Sequence, residues 1–212
     1  MRTKKRSGAL PPMTEQQLRQ VTIGEPRRLE GQVVLVPYDL AWPDLFQRES
    51  QRIRQALAGR ALRVEHVGST SVPGLTAKPI IDILLVVPDS SDEPSYAPAL
   101  EAVGYRLRIR EPDWHQHRLF KGADTEVNVH VFSPGSPEID RMLTFRERLR
   151  SDPRERALYA RTKRALARKK WGYVQNYADA KSAVVEAILE RERASPSPTG
   201  RDNRARRATA RR

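Results

Sequence analysis

Cysteine is absent from the 212 residues. That excludes disulfides, thiolate nucleophiles and cysteine-ligated zinc. No apolar run approaches the roughly 18 residues that span a bilayer. The N-terminus, MRTKKRSGALPPM, carries basic residues with no apolar segment behind them, so it does not read as a secretory signal. A cytoplasmic location is the expectation, with no membrane partner. Hydrophobic residues make up 38% and mean hydropathy is −0.67, so part of the chain is expected to lie outside a packed core. The sequence shows no internal repeat and no GxxxxGK[ST] phosphate loop.

What the chain has in excess is positive charge, +13 in all. Most of it sits at the ends. Residues 1–30 carry +4 and residues 193–212 carry +6, which leaves +3 for residues 31–192. Three regions follow: a basic N-terminal extension over 1–30, a folded domain over 31–192, and an Arg-rich tail over 193–212. Both ends read as disordered, because their composition offers little apolar surface to offset chain entropy. The tails are expected to solubilise the chain, or to touch polyanions weakly. No aromatic platform on a basic strand face suggests a nucleic-acid binder.

Within 31–192 the pattern is that of an α+β domain. GQVVLVPYD reads as a short strand, and residues 39–57 as an amphipathic helix with Glu49 on its apolar stripe. LRVEHV and PIIDILLVVP read as strands, the second buried on both faces. A helix closed by Gly104 follows, then strands RLRIR, HRLFKG and EVNVHVF. Three helices end the domain, at about 137–150, 153–170 and 173–192. Strands first and helices last argue for α+β over a doubly wound sheet.

Between two of these strands lies the stretch EHVGSTSVPGLTAKPIID. Gly68 and Gly74 permit a sharp turn and close approach of a ligand. Ser69, Thr70 and Ser71 offer donors to phosphate oxygens. Lys78 adds a positive charge, and His66 stands at the entry. Asp82 is a lone carboxylate in an apolar strand, which is costly unless paired or ligated. It is read either as a metal or phosphate-site ligand or as an ion pair with Lys78 or an arginine. In EVNVHVF, Glu126, Asn128 and His130 share one face. Arg146 and Lys181 each interrupt an apolar helical stripe. With Glu49 and Asp82 they suggest one shared polar pocket, although long cations also snorkel from stripe edges.

These residues resemble a known family. VEHVGSTSVPGLTAKPIIDILLVV, together with VPYDLAW, LTFRERLRSDP and YADAKSAVV, is similar to the GrpB signature over roughly 31–192. The resemblance implies a nucleotidyltransferase-like mixed sheet with flanking helices and a C-terminal helical half. It also implies a nucleotide-binding transferase site: Gly68-Ser69, Asp82 as magnesium ligand and catalytic acid, and Glu126 or His130 on a neighbouring strand. His66, Gly68, Ser69, Thr70, Ser71, Lys78, Arg146 and Lys181 are the expected phosphate contacts. The pattern departs at position 84, where a second acid is expected and Leu84 stands. Two functions follow. One is Mg²⁺-dependent nucleotidyl transfer from an NTP to an acceptor. The other is an inactive nucleotide- or CoA-type phosphometabolite-binding module, since relatives of the domain occur fused to dephospho-CoA kinase.

Overall fold

The computed structural model describes residues 12–29, 31–122 and 124–194. Five strands form one sheet: β1 (Arg63–Val67), β2 (Ile81–Val86), β3 (Arg106–Glu111), β4 (His117–Lys121) and β5 (Val127–Phe132). Their order is β1-β2-β5-β4-β3; β2 and β5 run parallel and the other neighbours antiparallel. The expected α+β class with a mixed sheet is what is found.

The continuous apolar run of β2 has an interior place, and alternate residues serve two faces. Ile81, Ile83 and Leu85 join Val127, Val129 and Val131 on one side. Against them pack α2 (Trp42–Leu57) and α3 (Ala97–Ala102), through Trp42, Ile53, Leu57 and Leu100. Each such aliphatic side chain contributes about 1.5–3 kcal/mol by leaving water. Glu49 is buried on this side, where its carboxylate accepts from the Tyr105 hydroxyl and lies 3.7 Å from Arg52. It does not join the pocket expected around Asp82.

On the opposite face, Val67, Leu84, Val86 and Phe132 pack under Ile139, Met142 and Leu143 of α4 (Pro137–Ser151). Next come α5 (Pro153–Ala167), α6 (Val174–Asp179) and α7 (Ser182–Ala194), with α4 packed on α5 and α7. The single helix expected over 173–192 is thus two, and Lys181 lies in the turn between them. Residues 31–39 form no strand; one bridge joins Val36 to Ala77. Pro37 has no N–H to extend the ladder.

The segment before residue 31, expected to be disordered, is in part ordered. Thr14 and Gln17 form a capping box at the start of α1 (Glu15–Val21), and Leu18 is buried. Bridges tie Thr22 to Ile109 and Arg28 to Tyr173. Composition missed this segment because its attachment is mostly backbone hydrogen bonding plus Leu18 and Leu29. Arg193 and Ala194, expected in the Arg-rich tail, instead end α7, and the expectations for residues 1–11 and for the rest of the tail fall outside the described residues. Among those described, no helix is long and apolar enough to cross a membrane.

Candidate functional site

Antiparallel pairing sets Val67 opposite Asp82. The chain then turns at Gly68 into one 3₁₀ turn, Ser69–Ser71. Gly68 has φ +68°, and a Cβ there would overlap Asp82 Oδ2 and stand 2.8 Å from Asp82 Cβ. Only glycine lets the loop close over the carboxylate. Asp82 is 28% exposed. Its Oδ1 accepts from Asn128 Nδ2 at 2.6 Å, across the β2–β5 pair, and His130 Nε2 stands 3.9 Å away. Burial pushes the Asp82 pKa up. His130, the Asn128 amide and the Lys181 ammonium outweigh that and hold it at about 2, so the group is ionised.

Around this single carboxylate gather four lysines. Lys121, Asn128 and Asp82 form one row across β4, β5 and β2. Lys78 comes from the loop exit, Lys163 from α5 and Lys181 from the α6–α7 turn. Lys78 Nζ and Lys181 Nζ lie 5.5 and 4.9 Å from the centre of the Tyr177 ring, and Lys163 Nζ lies 5.1 Å from that of Tyr159. Lys163 is 2% exposed and donates to the Thr76 carbonyl. Burial lowers all four pKa values, Lys163 to about 7 and Lys78 to about 8, against the pull of Asp82. Among the described residues none of the four has a carboxylate within ion-pair distance; Asp82 and Glu126 are nearest His130 and Arg27 instead. Two further buried atoms, Tyr177 Oη and Asn128 Oδ1, have no hydrogen-bond partner. Unpaired buried cations and orphaned polar atoms are costly.

The other expected contacts are divided by the structure. Ser69 remains beside the site, its hydroxyl meeting the Tyr159 phenol. Thr70 and Ser71 are turned inward: Thr70 donates to the Ile80 carbonyl at 3.1 Å, and Ser71 to Gly68 O at 2.6 Å. Since Thr70 spends its proton on Ile80, His66 Nε2, 3.1 Å from Thr70 Oγ1, is the donor there. The His66 ring stacks on Phe46 of α2, away from Asp82, and burial lowers its pKa to about 4. These three brace the loop. Arg146 is also spent, donating to Glu65 at 2.9 Å, His66 O at 2.8 Å and Glu147 at 2.7 Å. Glu126 lies at the surface, 3.8 Å from Arg27, and among the described residues no three His, Cys, Asp or Glu side chains are grouped around Asp82. Lys121, Lys163 and Tyr177 were missed. For Lys163 the signal existed: Tyr159, Lys163 and Leu166 put a cation into an apolar stripe, as at Lys181.

The family model described as GrpB protein matches residues 32–191. The chain belongs to the GrpB family. A UPF0157 protein of Halalkalibacterium halodurans is 59% identical over 184 residues, covering 87% of this chain and 94% of that one. The crystal structure of conserved protein GrpB from Enterococcus faecalis is 32% identical, with a TM-score of 0.64 over 75% of this chain and 99% of its own. A dephospho-CoA kinase of Mycolicibacterium paratuberculosis is 34% identical over 176 residues, which is 70% of this chain but 43% of that protein. The Cid1 poly(U) polymerase aligns with 13% identity and a TM-score of 0.47, too remote to carry an argument.

For a GrpB-family chain of this fold, the implied magnesium can be tested against the side chains. They do not fit it. Two residues beyond Asp82, Leu84 is wholly buried in an apolar cluster. The in-register partner of Asp82 is Asn128, whose amide nitrogen, not its oxygen, meets the carboxylate. Among the described residues no three His, Cys, Asp or Glu side chains are grouped to hold a metal. Lysines outnumber carboxylates around Asp82, which disfavours a dication.

Proposed function

We propose that this GrpB-family chain binds a phosphate-bearing small molecule of nucleotide or CoA type, and that lysines, not Mg²⁺, neutralise the phosphates. The observation that supports it is the set of Lys78, Lys121, Lys163 and Lys181 gathered around Asp82 without carboxylate partners. An ammonium is a compact charge with three donors, suited to phosphate oxygens. Ser69 and the Tyr177 hydroxyl add neutral donors, and Asn128 Oδ1 can accept from a ligand hydroxyl or amine. That one relative is a dephospho-CoA kinase, with a region like this chain making up under half of it, favours a CoA-type compound. Nucleotidyl transfer from an NTP is the weaker reading, because two-metal chemistry needs bridging carboxylates where Leu84 and Asn128 stand.

Calorimetric titration of ATP, dephospho-CoA and inorganic pyrophosphate, with EDTA or with Mg²⁺, tests this. Binding is expected in EDTA and is expected to weaken with Mg²⁺, which masks phosphate charge. Binding that appears only with Mg²⁺, or transfer of a labelled nucleotide, overturns it.

A further inference from the structure

A second line of polar groups approaches Asp82 from the far edge of the sheet. Glu111 ends β3 and pairs in register with His117, the first residue of β4. His117 is 4% exposed, enclosed by Trp114 and Phe132. Its Nδ1 lies 2.6 Å from Glu111 Oε2 and its Nε2 lies 3.1 Å from His130 Nδ1. The two imidazoles stack, with centres 5.3 Å apart. The line ends at His130 Nε2, 3.9 Å from Asp82 Oδ1. Just before His117, His115 and Gln116 both have positive φ, 55° and 52°. Two such residues in succession are uncommon and cost energy, which fits a turn held for its placement of His117.

Hydrogen-bond chemistry fixes the direction of this line. An ionised Glu111 can only accept, so His117 Nδ1 carries a proton. Burial lowers the His117 pKa to about 4, against the raising effect of Glu111, so the ring is neutral and its Nε2 is bare. That bare atom accepts from His130 Nδ1–H. In the neutral ring this leaves His130 Nε2 bare, 3.9 Å from Asp82 Oδ1; only the protonated ring supplies the hydrogen bond and charge that lower the Asp82 pKa.

We propose that Glu111 and His117 lock the tautomer of His130, so that His130 Nε2 takes a proton from a hydroxyl or protonated phosphate of the bound phosphate compound. In that step the ligand O–H bond breaks, its electron pair stays on oxygen, and an N–H bond forms at Nε2. Ionised Asp82, from β2, offsets the imidazolium, and the lysines about Asp82 hold the oxygen anion. From β4, His117 keeps its contact with Nδ1, with Glu111 of β3 behind it and Arg118 nearby. The in-register neighbours Leu84 and Leu119 bring no charge. Glu111 and His117 are positioning residues. The ligand half rests on the phosphate reading above; the lock does not.

The test is NMR of the full chain with ¹⁵N-labelled histidines. Without ligand, the proton is expected on Nδ1 of both His117 and His130. Glu111→Gln keeps an acceptor and is expected to keep the lock. Glu111→Leu and His117→Phe are expected to release His130 to the Nε2–H form. A proton on Nε2 and none on Nδ1 of His130 in the natural protein overturns the lock, as does an unchanged His130 in Glu111→Leu. Saturating inorganic pyrophosphate at a pH where it carries a proton is expected to protonate Nε2 in the natural protein. Bound pyrophosphate with Nε2 still bare overturns the proton transfer. If pyrophosphate does not bind, the phosphate reading fails with the ligand half, and the tautomer result still decides the lock.

Discussion

Two basic regions flank the loop that follows β1, and they differ in one respect. On one side Arg146 and Arg150 meet carboxylates and carbonyls: Glu65, Glu147, His66 O and Ser71 O. On the other, Lys78, Lys163 and Lys181 meet aromatic rings and one backbone carbonyl. Guanidinium forks suit fixed pairing, whereas an ammonium is a mobile point charge. The arginines hold the loop in shape; among the described residues the lysines have no carboxylate within ion-pair distance. Position in an apolar stripe does not separate the two kinds of cation, but pairing does.

The largest expected effect breaks this comparison directly. Arg146→Met removes both the Glu65 pair and the bond to His66 O. Truncating one partner of a mostly buried pair costs about 3 kcal/mol, so stability falls by that order while pyrophosphate affinity holds. Lys181→Met does the opposite. Stability is retained, and pyrophosphate binding weakens by about 1.5–3 kcal/mol, roughly 10- to 150-fold. Urea unfolding and calorimetric titration of both variants decide it. Equal loss of binding in both would merge the two regions into one site.

A smaller effect sharpens the lysine side. Lys163 titrates at about 7 in the folded protein, against 10.5 for an ordinary lysine. Between those values the unfolded chain binds more protons, so stability rises with pH; below about 7 both states are charged and the dependence ends. Lys163→Met abolishes this contribution. From pH 7 to pH 9 the natural protein is therefore expected to gain about 2 kcal/mol on the variant. Bound pyrophosphate would keep the ammonium charged and flatten that gain. Parallel urea titrations at the two pH values, with and without pyrophosphate, measure it.

Much of the fold was legible because β2 and β5 carry their periodicity in runs of Val, Ile and Leu. Gly68, Asp82, Lys78 and Lys181, which the structure brings together at the candidate site, were conspicuous in the sequence as a loop glycine or as charge amid apolar neighbours, and Ser69 by following Gly68. Thr70, Ser71 and His66 were misassigned because a hydroxyl near a loop looks the same whether it faces a ligand or a carbonyl. Their partners, Ile80 O, Gly68 O and Phe46, are set by the turn and by α2, not by spacing. Lys121 was hidden for a related reason: it enters the site through strand order, which puts β4 beside β5. Glu111 and His117 needed the same pairing information.

The least effect expected concerns the segment before the domain, where composition and structure disagree. If residues 12–29 are part of the folded unit, the cap of α1 should register in global stability. Thr14 Oγ1 accepts from Gln17 N–H at 3.3 Å, and Gln17 Oε1 accepts from Thr14 N–H at 2.9 Å. Neighbouring Met13 donates its N–H to Asp179 at the end of α6, 2.9 Å away. That helix carries Tyr177, the ring shared by Lys78 and Lys181. Thr14→Ala removes one half of the capping box, at a cost of about 1 kcal/mol. A fall of that size in urea unfolding, followed through the whole chain, would show α1 unfolding with the domain. No change would show that α1 opens separately, because the loss would then be confined to a segment that the global transition does not report. The companion measurement is hydrogen exchange at Leu18 and Tyr177. Faster exchange at Leu18 alone marks a local strap; faster exchange at both ties the strap to the wall of the lysine site.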